Sequence, residues 1–346
     1  MVREKLPTQY SRYTEKNIVL ILPKNQGTKT KNMKAVVIRR YGSPEVFQYE
    51  DVEPPKIKPN ELLVKVHAAC VNPVDWKMRK GMLKMITGNK FPMILGFDLS
   101  GEVIEIGSQV TQFKPGDVMY GSISPSGGAY AEFAAVPEKN AALKPTNMTY
   151  EEAASVPVAA LTALQGLRDL GKIQPNQKVL VNGGSGGVGI FAVQIAKAYR
   201  AQVTAVCSTK NIDFVKSLGA DHIIDYTQED FTQELGQYDI ILDAVAKQSF
   251  SGCKQALKPN GIYVTTLPSL ESFVQIILTA LILGKKAKFI LEKPNTQDLV
   301  YLKELIETGK MRSVIDCTYP LQELAAAHTY SETERAVGKI AIAVAS

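Results

Sequence analysis

Residues 178–189 read Lys-Val-Leu-Val-Asn-Gly-Gly-Ser-Gly-Gly-Val-Gly, and this stretch decides the fold. Lys178 to Asn182 is a short apolar run of the kind buried in a parallel sheet. Val188 to Tyr199 carries a helical pattern. Between them, Gly184-Ser185-Gly186-Gly187-Val188-Gly189 fits G-x-G-x-x-G. Alone that motif is weak; between a strand and a helix it specifies a dinucleotide site. Glycine permits the tight turn and lets the backbone approach a pyrophosphate, whose charge the free amides and positive helix end then hold. A turn of no special purpose would not carry five glycines in positions 183–189, since each costs conformational entropy.

The alternation continues downstream. Gln202 to Cys207 reads as a strand, Ile212 to Leu218 as a helix stopped by Gly219, and His222 to Asp225 and Tyr238 to Asp243 as strands. Phe250 to Leu257 reads as a helix and Gly261 to Thr266 as a strand. Strands alternating with helices predict an α/β fold with a doubly wound parallel Rossmann sheet. Upstream, Glu151 to Leu170 is helical with a kink or break at Pro157. Before it, Lys34 to Arg39, Glu61 to Ala69, Gly101 to Ile106, Val118 to Tyr120 and Ala129 to Val136 read as strands punctuated by Gly and Pro, which predicts a β-rich domain. After a helix over Thr296 to Thr308, the strand Ile340 to Val344 is expected to return to that domain.

Composition agrees. The chain has 346 residues, 45% hydrophobic and 21% charged, enough for two domains of roughly 150 residues each. Cys70, Cys207, Cys253 and Cys317 stand far apart, which excludes a disulfide scaffold and a cysteine-rich zinc module and fits a reducing cytoplasm. Of the net charge of +6, residues 1–32 contribute seven Lys/Arg against two Asp/Glu, leaving 33 against 32 for the body. A nucleic-acid surface is therefore not implied. The longest apolar run, Phe273 to Leu283, is too short to span a membrane and reads as a buried or interface helix. Residues 1–32 lack a consistent period and are treated as a flexible extension outside the fold, with Met33 an alternative start. Read as a targeting segment they would imply a plastid; their lysines are also the one candidate for membrane contact, against which the absence of an amphipathic face counts.

The strand after the glycine loop ends Cys207-Ser208-Thr209-Lys210, with no acid to accept from an adenosine 2′-hydroxyl. Two hydroxyls beside the positive Lys210 favour NADPH, and Tyr226, after the third strand, is placed to border the adenine.

A β-rich front domain before a Rossmann domain resembles the medium-chain dehydrogenase/reductase superfamily. Its zinc alcohol dehydrogenases bind catalytic zinc through a Cys after the second strand and a His in a Gly-His-Glu motif. Here the corresponding stretches are Val71-Asn72-Pro73-Val74-Asp75 and Gly96-Phe97-Asp98, which hold neither ligand, and the four-cysteine lobe is absent. His67, His222 and His328 stand at no ligand spacing. Alcohol oxidation through zinc is therefore not expected.

The sequence resembles the zinc-independent quinone oxidoreductase branch, the zeta-crystallin-like proteins, over about residues 33–346. The resemblance rests on Asn72-Pro-Val-Asp-Trp-Lys77, Pro92-Met-Ile-Leu-Gly-Phe-Asp98, Gly101 to Gly107, Gly127-Gly-Ala-Tyr-Ala-Glu132, Leu161-Thr-Ala163, Gly183 to Gly189 and Gly338-Lys339-Ile340. The Asn72 to Lys77 wording, with Phe214 to Asp221, is most similar to chloroplast-envelope quinone oxidoreductase homologues and alkenal/enone reductases.

That resemblance implies a GroES-like catalytic domain over 33–152 and 295–346 and a Rossmann NADP(H) domain over 153–294. It implies that Ser185, Gly186, Gly187 and Val188 meet the pyrophosphate and that Ser208 and Lys210 meet the 2′-phosphate, with Tyr226 by the adenosine. Thr162, Lys247, Thr265, Thr266, Leu267 and Pro268 would line the nicotinamide side, and Asn72 and Lys77 would be the catalytic candidates. Many zeta-crystallin-like proteins carry a tyrosine where Lys77 stands, so a tyrosine role does not transfer. Asp75 and Asp98 read as structural.

The implied activity is reduction of a quinone or of an activated C=C bond by NADPH. A donor aimed at the carbonyl oxygen is needed, from Lys77, Asn72 or a cofactor ribose hydroxyl, and water can supply the α-carbon proton. Relatives commonly form homodimers through the Rossmann sheet edge, with the 273–283 run a candidate contact. The competing readings are an NADPH-binding sensor or structural protein, and an enoyl-thioester reductase.

Overall fold

In the computed structural model, residues 32–344 are described, apart from 89, 124, 268, 269, 281 and 282. The expectations for residues 1–31 and for Pro268 thus lie outside the described residues.

The chain begins with β1 (Met33–Ile38), β2 (Phe47–Val52), β3 (Glu61–Val71), α1 (Pro73–Arg79), α2 (Lys84–Thr87), β4 (Met93–Ile94), β5 (Asp98–Ile106), β6 (Val118–Ser122), β7 (Phe133–Pro137) and β8 (Ala141–Leu143). It continues through α3 (Tyr150–Ala154), α4 (Pro157–Gln165), β9 (Lys178–Asn182), α5 (Gly187–Ala198), β10 (Gln202–Cys207), α6 (Ile212–Ser217), β11 (His222–Asp225) and β12 (Tyr238–Asp243). The last elements are α7 (Phe250–Cys253), β13 (Leu257–Thr265), α8 (Leu270–Ala280), β14 (Lys286–Phe289), α9 (Thr296–Glu307), β15 (Ile315–Pro320), α10 (Leu324–Glu332) and β16 (Lys339–Ala343).

Parallel strands order β11-β10-β9-β12-β13-β14 in one sheet. β9 is its centre, and its alternation serves two faces. Val179 and Val181 join the cluster containing Phe191 of α5, while Leu180 joins Val206, Ile241 and Tyr263 on the other face. This is the buried, apolar central strand that its sequence predicts. The β-rich part is built on the order β15-β16-β3-β5-β6-β8, with β7 on β3 and a separate β2-β1-β4 sheet. The C-terminal strand does return: β16 pairs with β3, Ala341 opposite Cys70.

Several expected boundaries move, each for a local reason. The break expected at Pro157 occurs, between α3 and α4, and beyond Gln165 the helix continues as a wider π-type turn over Gly166–Leu170. The helix expected over 250–257 stops at Cys253, because Leu257 already pairs with Tyr238 and the register shifts before Ile240. Of the strand expected over 129–136, only the part from Phe133 forms. Earlier residues bond elsewhere: Tyr130 donates its amide to Leu95 O and accepts from Val36 N. β14 and β15 carry alternating charged or polar residues that conceal them in the sequence. In α8 the apolar side chains of Val274, Ile277 and Leu278 are 51%, 54% and 58% exposed, so that face is not buried within the chain.

Candidate active site at the glycine loop and the start of α1

Gly183 leaves β9 at φ +85°, a conformation glycine adopts without strain, and its amide and that of Gly184 donate to Val206 O. A Cβ on Gly189 would lie 2.0 Å from Gly183 O, so α5 can approach the turn this closely only with glycine there. Gly186 is the N-cap of α5. The amides of Gly187, Val188 and Gly189 form its first turn, where no intrahelical acceptor exists. This cradle, with the positive end of a 12-residue helix behind it, fits a dinucleotide pyrophosphate.

Two other segments close on the loop. Asn211 Nδ2 donates to Ser185 Oγ at 3.1 Å and Ser208 Oγ at 3.3 Å, joining the glycine loop to the end of β10. Gly338 N donates to Ser185 O at 2.9 Å, which ties β16 to it. Lys210 and Tyr226 are exposed beside this edge. Asp225, which the sequence reading used only as a strand end, accepts from Thr209 Oγ1 at 2.5 Å and from Thr227 N and Oγ1. The Thr209 hydroxyl, with Thr227, holds its carboxyl below the usual range.

At the C-terminal ends of β12 and β13, where open α/β sheets bind ligands, Thr265 is buried, Thr266 is half-buried and Leu267 is exposed. The Thr266 hydroxyl reaches Asp243 O and Ala244 O at 3.4 Å. Thr162 Oγ1 is committed to Val158 O at 2.7 Å. Lys247 is not free: its Nζ lies 2.6 Å from Glu334 Oε2, and both side chains are exposed. Glu334 also acts on Lys77, opposing the burial that lowers the Lys77 ammonium.

The remaining candidates lie at α1. Asn72, predicted as a turn residue or a cleft donor, is its N-cap and is 2% exposed. Its backbone amide donates to Asp75 Oδ2 at 2.7 Å, and its Nδ2 donates to Asp98 Oδ2 at 2.8 Å. Asp98 Oδ1 accepts from Val158 N at 2.9 Å, at the start of α4. Pro157 makes this contact available, since α4 begins there and leaves the Val158 amide without an intrahelical acceptor. Burial pushes the Asp75 carboxyl up to about 7 and that of Asp98 up to about 6. Lys77 lies half-buried on the same helix, its Nζ 5.3 Å from the centre of the Trp76 ring. Phe97, in the place where zinc relatives carry histidine, is buried in the β-rich core. Among the described residues no group of three or more His, Cys, Asp or Glu could hold a metal ion.

Sequence reading missed three residues here. Lys339 Nζ donates to Asn72 Oδ1 at 2.6 Å. Tyr130 OH donates to Asp75 Oδ2 at 2.8 Å. Glu292 follows β14, with a buried Oε2 that has no partner and a carboxyl that burial and Asp98 push up to about 7. Gly338-Lys339 and Tyr130 stood in stretches that carried the family resemblance, but nothing in their spacing assigned them to the cleft.

Comparison with known proteins agrees with this architecture. Residues 58–146 match the alcohol dehydrogenase GroES-like domain, and residues 218–342 match the zinc-binding dehydrogenase family. The chain is 36% identical to the chloroplast envelope quinone oxidoreductase homolog of Arabidopsis thaliana, over 90% of this chain and 98% of that protein. It is also 36% identical to the NADPH-dependent alkenal/one oxidoreductase of Arabidopsis thaliana, over 90% of this chain and 80% of that one. Among solved structures, the quinone oxidoreductase from Coxiella burnetii superposes with a TM-score of 0.84 at 33% identity, covering 91% of this chain and all of that one.

Proposed function

This chain belongs to the medium-chain dehydrogenase/reductase superfamily, among the quinone oxidoreductases and alkenal/one reductases, and we propose that it is an NADPH-dependent reductase of quinones and of the activated C=C bond of α,β-unsaturated carbonyls. The observation that carries this reading is the glycine cradle at the start of α5, linked through Gly338 and Lys339 to the side chain of Asn72. Ser208 and Lys210 in place of a ribose-binding acid support NADPH over NADH.

Bound NADPH supplies the hydride delivered to the β-carbon of the acceptor. In this reading the amides of Gly187 and Val188, with Ser185 and Gly186, hold the pyrophosphate, and Ser208 and Lys210 hold the 2′-phosphate. Thr162, Lys247 and the segment from Thr265 to Pro268 border the nicotinamide end, and Tyr226 borders the adenosine. As the double bond is reduced, negative charge grows on the carbonyl oxygen of the acceptor. Lys77 donates to that oxygen whether or not it is ionised, an interaction worth roughly 3–4 kcal/mol in a well-formed oxyanion site. Asn72 offers an amide N–H from the cleft floor, and water supplies the α-carbon proton. The reading includes a catalytic domain over 33–152 and 295–346 and an NADP(H) domain over 153–294.

The test follows deuterium from 4-deuterated NADPH into the product of an enone. Deuterium at the β-carbon of a saturated ketone supports the reading. Deuterium at the carbonyl carbon of an alcohol contradicts it. Tight NADPH binding without turnover would favour a sensor or structural role, and turnover confined to coenzyme A thioesters an enoyl-thioester reductase.

We place the protein in the cytoplasm, a plastid location being the alternative if residues 1–32 act as a targeting segment. Among the described residues no helix is long and apolar enough to cross a membrane. The reading also includes a homodimer. Its support is β14 at the edge of the parallel sheet and the exposed Val274, Ile277 and Leu278 beside it. Native mass should be twice the chain mass, and Ile277→Asp should halve it; a monomeric wild type would contradict the dimer.

A further inference from the structure

Lys339 is 3% exposed, an unusual place for a lysine. A hydrogen bond with the Cys70 thiol and two further contacts account for it. Its Nζ donates to Asn72 Oδ1 at 2.6 Å. Its alkyl chain runs against the glycine loop, where a methyl on Gly187 would come within 3.0 Å of Lys339 Cδ. The strand bearing it is fixed at the same point by the Gly338 N to Ser185 O bond. Lys339 therefore extends from the glycine loop to the side-chain amide of Asn72. Its charge also acts on the buried Asp75 and Asp98 carboxyls.

A lysine ammonium is a donor only, so the Asn72 carbonyl must face it. The amide nitrogen then faces Asp98, to which it gives one N–H at 2.8 Å. The second N–H remains. The flip that would present the Asn72 carbonyl to a ligand would set two donors against each other at Lys339.

We infer that Lys339 is a positioning residue that locks the Asn72 amide as a donor toward the cleft and sets its place relative to the glycine loop. This rests on the reading of Asn72 as a cleft donor. Lys339 itself does not touch the acceptor; it acts through Asn72.

A double-mutant cycle of Lys339→Met and Asn72→Ala tests it, read in two ways. Lys339→Met keeps the alkyl chain on Gly187 and removes the donor. For reduction of a small enone, kcat should fall about 10- to 100-fold in either single variant, and the double variant should lie within about threefold of Asn72→Ala alone. NADPH Kd should change less than about threefold. The second readout needs no turnover: the emission of bound NADPH should shift alike in both single variants and in the double variant. Additive losses of kcat, or an emission that Asn72→Ala alters and Lys339→Met does not, would overturn the inference. If Lys339→Met does not fold, Lys339→Leu, which also lacks a donor, enters the same cycle with the same expectations. A wild type that binds NADPH but reduces no enone or quinone would defeat the reductase reading, and the emission cycle would still decide whether Lys339 acts through Asn72.

Discussion

The hydroxyl of Tyr130 donates to Asp75 Oδ2 at 2.8 Å, and the same oxygen accepts from the Asn72 backbone N–H at 2.7 Å, so one atom of a wholly buried carboxyl holds both the β-rich core and the start of α1. The other oxygen, Oδ1, is buried without a partner. Burial raises this carboxyl to about 7, against the lowering effect of these two bonds.

That relationship predicts a pH dependence of stability. A carboxyl whose folded pKa exceeds its unfolded value of roughly 4 contributes its full stability below pH ~4 and loses it as pH rises through the folded value. Between about pH 4 and 7 the ionisation of Asp75 should therefore destabilise the fold by at most roughly 4 kcal/mol. Asp75→Asn keeps an acceptor for Tyr130 and Asn72 and cannot ionise. It should carry a constant penalty of about 1 kcal/mol for its new buried N–H groups, and gain on the wild type as pH rises. Denaturant unfolding from pH 4.5 to 8 checks this; parallel curves for the two proteins would contradict it.

Cofactor choice is tested at Lys210, which stands exposed after β10. A lysine–phosphate contact is worth about 1.5–3 kcal/mol, or roughly 10- to 150-fold in affinity. Lys210→Ala should weaken NADPH by that factor and leave NADH unchanged, as read by fluorescence titration. Equal losses for both cofactors would remove Lys210 from the 2′-phosphate site.

Lys77→Met keeps most of the side-chain bulk and removes the donor proposed for the acceptor oxygen. Steady-state kinetics should show kcat lowered about 10- to 1,000-fold with NADPH affinity retained. A variant with wild-type kcat would show that Lys77 only shapes the cleft.

Local signals made much of the fold legible. The glycine loop lies between β9 and α5 as its sequence indicates, and each apolar strand from β9 to β12 has the bounds its residues suggest. The motif glycines also have assignable reasons, such as the contact that a Cβ at Gly189 would make with Gly183 O. What stayed hidden depends on distance along the chain. Lys339 and Asn72 are separated by 267 positions, and no periodicity links them. The break at Pro157 is legible, but not that the Val158 amide it frees finds Asp98, 60 positions earlier. The resemblance implies Lys247 on the nicotinamide side, but nothing near it in the sequence shows Glu334, which the fold brings to it from the C-terminal region.

The most direct measurement is NADPH oxidation by the wild-type protein with an enone, a quinone and a saturated ketone, alongside alcohol oxidation with NADP⁺. Rapid NADPH consumption with the enone or the quinone, negligible rates with the saturated ketone, and no alcohol oxidation are the predicted result. No turnover with any enone, enal or quinone, or alcohol oxidation as the dominant reaction, would contradict the account.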